Sequence, residues 1–373
     1  MIRMKKILAF LFSLITVVAF AQSKDSYLLI GTYTTDIHVY KFNSTTGATT
    51  FVSKFSGTTN PEYIAITKNE KFVYVTNENH KDKPGEVSAF SFDKKKGALT
   101  FLNKTESGGD DPCYVDVDTM GKWIVVANYS GGNLSALKTN ADGSLMPLAQ
   151  TIDHQGYSTN FERQSKPHVH CATFSPDGKY VFANDLGTDK VYQYKFDSKN
   201  DQQPLNEEAV TTDVPDGSGP RHITFHPNKK YAYLINELSG KIIAYQYNDG
   251  VLTEIQTIIS DNTGGKEDKG SADIHITPNG QYLYTTNRAK ANDISIFRVG
   301  STGLLTELGH QSVLGIHPRN FTIDPTGKFL LVANRDTNNI VVFNIMKSTG
   351  MLVAMPNQIQ VDKPVCLKMM GVN

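Results

Sequence analysis

Three arginines (Arg221, Arg288, Arg319), two histidines (His168, His170) and two glutamates (Glu78, Glu237) recur at comparable points along this 373-residue chain. Guanidinium groups grip carboxylates and phosphates and stabilise negative charge developing on an oxygen. His168 and His170 lie two apart, so on a strand they share a face, and an imidazole there suits a general base or a hydrogen bond to substrate. Guanidiniums gathered at one point repel unless an anion sits between them, and Glu237 or Glu78 can be that partner internally. Asp185 and His275 join Arg319 and Glu78 as candidate substrate contacts. His222 is a weaker candidate, and His226 and His317 sit at X-Pro turns and read as local turn residues. Cys113 falls among the candidates by position, but a reactive thiol needs a cation beside it, and the sequence places none. The alternative account of the whole set is a wet channel lined by polar side chains without function. No Gly-rich phosphate loop, H-E-x-x-H or G-x-S-x-G pattern occurs, which excludes kinases, zincins and α/β-hydrolases at the level of motif.

The elements that must position these residues show in a repeat. X-Pro followed by a short apolar stretch recurs at Asn60-Pro61, Asp111-Pro112, Lys166-Pro167, Gly219-Pro220, His317-Pro318 and Lys363-Pro364, and Ser271-Ala272-Asp273-Ile274 fills the one gap. Each of the first six starts leads to a turn, such as Ser175-Pro176-Asp177-Gly178 or Asp324-Pro325-Thr326-Gly327, where proline followed by Asp, Asn or Gly is β-turn chemistry. A β-rich run ending in Asn follows: Phe72 to Asn77, Trp123 to Asn128, Tyr180 to Asn184, Tyr231 to Asn236, Tyr282 to Asn287 and Phe329 to Asn334. A third alternating strand, a glycine turn and a fourth strand end the unit.

Four strands in about 50 residues is the signature of a propeller blade. Six units are complete. The seventh takes its first strand from the residues after Pro364 and the other three from Tyr27–Tyr33, His38–Phe42 and Thr50–Phe55. Sharing one blade between the termini closes the ring and removes an exposed edge, whereas an open solenoid would need caps. The expectation is an all-β, seven-bladed propeller forming one domain over residues 22–373.

In such a blade the start of strand one and the end of strand two meet at one rim of the central channel. Counting back from the turn, the strand-one rim set is Glu62, Cys113, His170, Arg221, Ala272 and Arg319, with Val365. The residue after the strand-two Asn gives Glu78, Tyr129, Asp185, Glu237, Arg288 and Arg335, with Tyr33. These positions differ in chemistry while their apolar flanks stay alike. A rim bearing Arg, His and Glu together is what an anionic ligand requires.

Lys+Arg and Asp+Glu both number 37, and no long basic run occurs, which argues against nucleic acid as a partner. Three cysteines without a CxxC spacing make neither a disulfide framework nor a zinc site. Arg3, Lys5 and Lys6 precede an apolar stretch from Ile7 to Phe20, and Ala19-Phe20-Ala21 matches a cleavage site before Gln22. Residues 1–21 therefore read as a secretory signal peptide, whose 14-residue apolar stretch is short for a spanning helix, which needs about 20 residues. Its removal leaves 34 positive against 37 negative groups and no membrane span. The expected location is the periplasm or the medium.

Gly219-Pro220-Arg221-His222-Ile223-Thr224-Phe225-His226-Pro227, with Tyr231-Ala232-Tyr233-Leu234-Ile235-Asn236-Glu237, resembles the seven-bladed propeller lactonase family. That family includes bacterial 6-phosphogluconolactonase and fungal carboxymuconate-lactonizing enzyme. Ile30-Gly31-Thr32-Tyr33-Thr34, Ser271–Pro278 and His317-Pro318-Arg319 extend the resemblance along the whole mature chain. It implies a site on one propeller face that needs no metal or other cofactor, where a His, two Arg and a Glu act. Arg221 and Glu237 carry over by motif. The His falls on His168 or His170, and the second Arg on Arg288 or Arg319. The implied activity is an exported lactonase that hydrolyses a small sugar-acid lactone, phosphorylated or not. A muconate-type cycloisomerase and a non-catalytic binding propeller are the rivals.

Overall fold

The computed structural model describes residues 25–79, 84–265 and 268–372. Arg3, Lys5, Lys6 and the proposed cleavage point at Ala21-Gln22 lie outside the described residues. Twenty-eight strands form seven four-stranded antiparallel sheets, with no α-helix among the described residues. The innermost strands are Pro61–Ile66, Pro112–Val117, Val169–Phe174, Pro220–Phe225, Ser271–Ile276, Pro318–Ile323 and Pro364–Gly371. They define blades I to VII in that order. Blade VII is the shared one: Pro364–Gly371 pairs with Asp25–Thr32, and Asp36–Asn43 and Thr49–Ser56 complete the sheet. The propeller expected from the repeat is the fold observed.

Second strands such as Trp123–Asn128 and Phe329–Asn334 are buried along their whole length, because both of their faces pack against neighbouring blades. That is why they read as continuous apolar runs rather than alternating ones. Tyrosines on these strands also tie blades together. Tyr74 donates to the carbonyl of Gly143 at 3.2 Å, Tyr233 to Gly303 at 3.0 Å and Tyr284 to Gly350 at 2.7 Å. Each bond joins a buried phenol to the hairpin between the outer strands of the next blade, satisfying the hydroxyl that burial would otherwise strand. The abundance of tyrosine in the sequence has its structural use here.

One local device builds the rim. In blade II, Pro112 pairs with Asn128 and Tyr114 with Ala127, so Cys113 has no partner in the ladder. The same break leaves out His170 in blade III, Arg221 in blade IV, Arg319 in blade VI and Val365 in blade VII. In blades I and V it spans two residues, Glu62-Tyr63 and Ala272-Asp273. Every member of the strand-one rim set is therefore a bulge residue. A bulge re-aims the side chain it carries, and seven of them turn seven side chains toward one mouth of the channel. The residue before the bulge pair is often left-handed, with φ of +51° at Asp111 and +63° at His317.

The second rim set is fixed from the backbone. Glu78, Tyr129, Glu237, Arg288, Arg335 and Tyr33 each donate a main-chain N–H to the carbonyl of Asn60, Asp111, Gly219, Gly270, His317 and Lys363 respectively, at 2.7–3.2 Å. The residue before each of them, Asn in the first five and Thr32 before Tyr33, is buried, and the Asn acts structurally. Asn128 Nδ2 bonds Asn133 Oδ1 at 2.7 Å and the Ser107 carbonyl at 3.2 Å, and Asn334 Nδ2 bonds the Val313 carbonyl at 3.1 Å.

Candidate functional site

Glu237 is the hub of the rim. Its Oε2 accepts from Arg221 Nε at 3.0 Å and from Arg288 Nη2 at 2.8 Å, and its Oε1 accepts from Arg163 Nη2 at 2.8 Å. Burial alone would raise its carboxyl, but Arg288, Arg221 and Arg163 hold it well below the ordinary carboxylate range. Glu237 is thus a fixed anion rather than a group that exchanges protons near neutrality. Arg221 is 2% exposed and also bonds the Ala272 carbonyl, so its work is to hold Glu237 in place. Arg288 is anchored by its Nε to the Gly270 carbonyl at 2.9 Å, and burial lowers it to about 10 against the pull of Glu237. Arg163 is the most exposed of the three, at 39% of its side chain, and also bonds Tyr129 Oη at 3.0 Å.

The two candidate histidines converge on Tyr129. His168 stacks on its ring at 4.5 Å, and His170 meets it edge-on at 5.3 Å. His168 Nδ1 lies 3.0 Å from the Tyr129 carbonyl. A carbonyl only accepts, so the imidazole proton sits on Nδ1 and the lone pair on Nε2. Burial, more than any nearby charge, lowers His168 below the usual imidazole value, leaving it neutral at pH 7. His170 is deeper, with Nε2 4.0 Å from Glu237 Oε2 and Nδ1 3.8 Å from Cys113 Sγ. Burial and Arg221 keep it neutral as well. The Cys113 thiol is pushed well up by burial, Glu62 and Glu78, which argues against a thiolate nucleophile.

A second charged group lies across the mouth. Arg319 donates to Glu62 Oε1 through Nη2 and through Nε at 3.1 Å, and its guanidinium lies 5.3 Å from the centre of the Tyr33 ring. Tyr33 Oη donates to the same Glu62 Oε1 at 3.0 Å. Glu78 belongs to this group: burial, then Glu62, raise its carboxyl to about 8. His317, expected to be a turn residue, instead accepts from Arg335 Nη2 at its Nδ1, 3.2 Å away, beside Arg288 and Arg319.

Of the residues proposed from sequence, His168, His170, Arg221, Glu237 and Arg288 come together, with Arg319 and Glu78 facing them. Asp185 and His275 do not join them. Asp185 pairs with Val169 in the ladder, the place Asn128 holds opposite Pro112. It therefore occupies the structural Asn position, and Leu186 takes the rim one, donating its N–H to the His168 carbonyl at 2.9 Å. The Asp185 carboxylate is fully buried and accepts from the His168 and Gly187 amides at 2.7 and 2.9 Å and from His154 Nδ1 at 2.9 Å. His275 lies three residues beyond Ala272 and faces the channel interior. It bonds Asp273 Oδ2 at 3.0 Å and lines a cavity of about 180 Å³ with Tyr63, Tyr114 and His222. The stacked rings of Tyr63 and Tyr114, 4.1 Å apart, and His222 edge-on to Tyr114 at 5.1 Å line this deeper part of the channel.

Arg163 is the member that sequence reasoning missed. It comes from the connection between blades II and III, outside the repeat, so no positional count reaches it. Its nearest signal is a basic residue five places before His168 in an otherwise polar loop. Two cavities open at this rim. One, of about 450 Å³, is lined by Arg163, Asn160, Lys269 and Leu238; the other, of about 590 Å³, by Tyr33, Asn60, Arg335 and Lys363.

The chain is thus a closed seven-bladed propeller with an arginine-bound carboxylate and neutral imidazoles at one mouth of its channel. The chain belongs to the lactonase family of seven-bladed β-propellers, whose family model matches residues 27–369. It is 36% identical over 312 residues to the 6-phosphogluconolactonase of Bacillus subtilis, covering 83% of this chain and 87% of that one. A solved structure from Bacteroides fragilis is 43% identical, with a TM-score of 0.88 over 94% of this chain and 99% of the other. The periplasmic gluconolactonase of Pseudomonas aeruginosa is 33% identical, with a TM-score of 0.88 over 94% of this chain and all of its own.

Proposed function

We propose that this protein is an exported lactonase that opens a sugar-acid lactone by hydrolysis at the Arg/His/Glu rim. The observation that carries the reading is the Glu237 hub, where one ionised carboxylate and three guanidiniums lie beside two neutral imidazoles. Membership of the lactonase family and the similarity to a 6-phosphogluconolactonase and a periplasmic gluconolactonase support it.

Each part of the rim has a task in ester hydrolysis. His168 presents the Nε2 lone pair, its tautomer set by the Tyr129 carbonyl, and takes a proton from water. The resulting hydroxide adds to the lactone carbonyl carbon. The oxygen that gains negative charge is stabilised by Arg288 and Arg163, whose positions are set in advance by Glu237. Glu237 itself, held ionised, accepts hydrogen bonds from sugar hydroxyls. The carbon–oxygen bond of the ring then breaks, and the departing oxygen needs a proton.

Purified protein assayed on a panel of sugar lactones tests this, with spontaneous opening subtracted at each pH. Turnover above background that His168→Gln lowers by about 10²-fold or more supports the assignment; turnover no faster than background refutes it. Export rests on Arg3, Lys5, Lys6, the apolar stretch after them and the Ala19-Phe20-Ala21 site. Protein recovered from the periplasm or medium with Gln22 as its first residue would support it; protein that keeps Met1 inside the cell would refute it.

A further inference from the structure

Glu237 orients Arg288 and Arg163, and Arg221 orients Glu237, so the placement of the hub depends on what holds Arg221. Two contacts besides Glu237 do so. Arg221 Nη1 donates to the Ala272 carbonyl and lies 3.3 Å from His222 Nε2. His222 Nδ1 is in turn 2.8 Å from Asp273 Oδ1. Ala272 and Asp273 are the two bulge residues of blade V, where the ladder resumes only at Ile274. Blade V thus brings an apolar side chain to the strand-one rim set, but its bulge gives Arg221 a carbonyl and His222 a carboxylate.

Each proton in this chain has one place. The buried Asp273 carboxylate takes donors from three blades. Its Oδ1 accepts from His222 and from the Ile274 amide at 3.0 Å. Its Oδ2 accepts from His275 Nε2 at 3.0 Å, from Asn320 Nδ2 at 2.5 Å and from the Phe321 amide at 3.2 Å. Asn320 Oδ1 accepts from the Leu367 amide at 2.7 Å, so its nitrogen is the atom that faces Asp273. These donors fill the roughly four lone-pair sites of a carboxylate, which has no proton to return. The proton between His222 and Asp273 therefore sits on His222 Nδ1. Burial and then Arg221 push this imidazole down to about 3, so the ring is neutral and Nε2 carries only a lone pair. A guanidinium only donates, and Nε2 is the atom that accepts from Arg221 Nη1. The opposite tautomer would set an N–H of His222 against an N–H of Arg221.

We propose that Asp273 and His222 are positioning residues of the site: Asp273 fixes the Nδ1–H tautomer of His222, and the free Nε2 of that ring seats Arg221 against Glu237. The assignment rests on the lactonase reading. Neither residue touches the lactone. They act through Arg221 and Glu237 on Arg288 and Arg163, which stabilise charge only where they are aimed at the oxygen that gains it. A misplacement of about 1 Å caused by a residue away from the reacting atoms costs about 10²-fold in rate. Asp273→Asn is the change that reaches the tautomer. Oδ2 faces three donors and Oδ1 two, so the amide keeps its oxygen on the first side and turns its NH₂ to His222 Nδ1. The imidazole proton then moves to Nε2 and meets Arg221.

Full-length mature protein labelled with ¹⁵N in its histidines tests the assignment. In the wild type at pH 7, the His222 ring, assigned through its own backbone amide, is expected to be neutral and protonated at Nδ1. A ring protonated at Nε2, or at both nitrogens, overturns the proposal and needs no variant to fold. In Asp273→Asn the proton is expected on Nε2, and kcat on glucono-1,5-lactone should fall by about 10²-fold with KM within about threefold of wild type. In a His222→Gln background, which has no tautomer to lose, Asp273→Asn should lower kcat by no more than about threefold further. An equal loss in both backgrounds would mean that Asp273 acts on the fold alone, and overturns the proposal. So does Asp273→Asn with wild-type kcat, or with the His222 proton still on Nδ1. All of these outcomes leave the lactonase reading standing. Wild-type protein with the Nδ1–H ring that opens no lactone above the spontaneous rate overturns that reading and the positioning role with it.

Discussion

Replacing Glu237 by Gln should destabilise the propeller as well as silence it, and the size of the effect can be reasoned from the contacts. The Glu237 side chain is 6% exposed and takes hydrogen bonds from three guanidiniums; Arg221 and Arg288 are themselves nearly buried. Gln keeps the shape and one acceptor oxygen, but it removes the charge and turns an NH₂ toward guanidinium donors. Removing one partner from a buried ion pair costs about 3–5 kcal/mol, because the remaining charge is left uncompensated. Arg163, well exposed, can return to solvent and adds little. Urea unfolding at pH 7 should therefore show a lower midpoint with an unchanged slope, equivalent to about 3–5 kcal/mol. The effect has a direction in pH. The folded carboxyl titrates well below its unfolded value, so its stabilisation is complete above the unfolded value near 4.3 and disappears as pH falls through the folded one. The gap between wild type and Glu237→Gln should be widest at neutral pH and shrink in acid. A variant within about 1 kcal/mol of wild type at pH 7, where a buried pair predicts several, would refute the hub. So would a gap that is the same at pH 7 and pH 3.

Arg163→Ala should leave stability within about 1 kcal/mol, because its side chain is 39% exposed, yet raise KM or lower kcat on sugar lactones; unchanged kinetics would remove it from the site. The wild-type rate should hold down to pH 6.5 and fall only below it, since burial keeps His168 neutral to lower pH than a free imidazole; an acid limb above pH 6.5 would exclude His168 as the base. Asp185→Asn should unfold at higher denaturant than Asp185→Ala, because Asn can still accept from the His168 and Gly187 amides. The Ala variant leaves those buried donors unpaired at about 1–3 kcal/mol each, so equal midpoints for the two would contradict that account.

The fold was legible because propeller sequences carry their geometry in simple signals. The proline starts, the turns after them and the Asn ending most second strands are separate consequences of one blade, and with the blade shared between the termini they point to seven copies. The ring of rim residues was legible for the same reason: a bulge at a fixed place in every blade makes one count from the turn find Glu62, Cys113, His170, Arg221 and Arg319 together. What the repeat does not contain could not be counted. Arg163 reaches Glu237 from a connecting loop, and a loop's path is set by tertiary contacts such as Gln164 Nε2 bonding the Leu186 carbonyl at 2.8 Å.

Asp185 shows how a repeat can mislead by one residue. Following the letter Asn ended the blade III strand at Asn184 and put Asp185 on the rim. Following distance would have placed it differently, since the residue nine places after the turn proline is Asn236, Asn287 and Asn334 in blades IV to VI but Asp185 in blade III. A strand's side chains alternate faces, so a slip of one residue exchanges inside for outside. The physical requirement at that place is a short side chain with an acceptor oxygen, and Asp meets it as Asn does. Here the acid gains a buried imidazole, His154, whose Nε2 is bonded in turn by Tyr194 Oη at 2.9 Å. The inner end of blade III is therefore tied by a buried Asp–His–Tyr chain rather than by an amide. The amide of His168, the residue proposed to activate water, is held by that same carboxylate, which links the one irregular blade to the placement of the base.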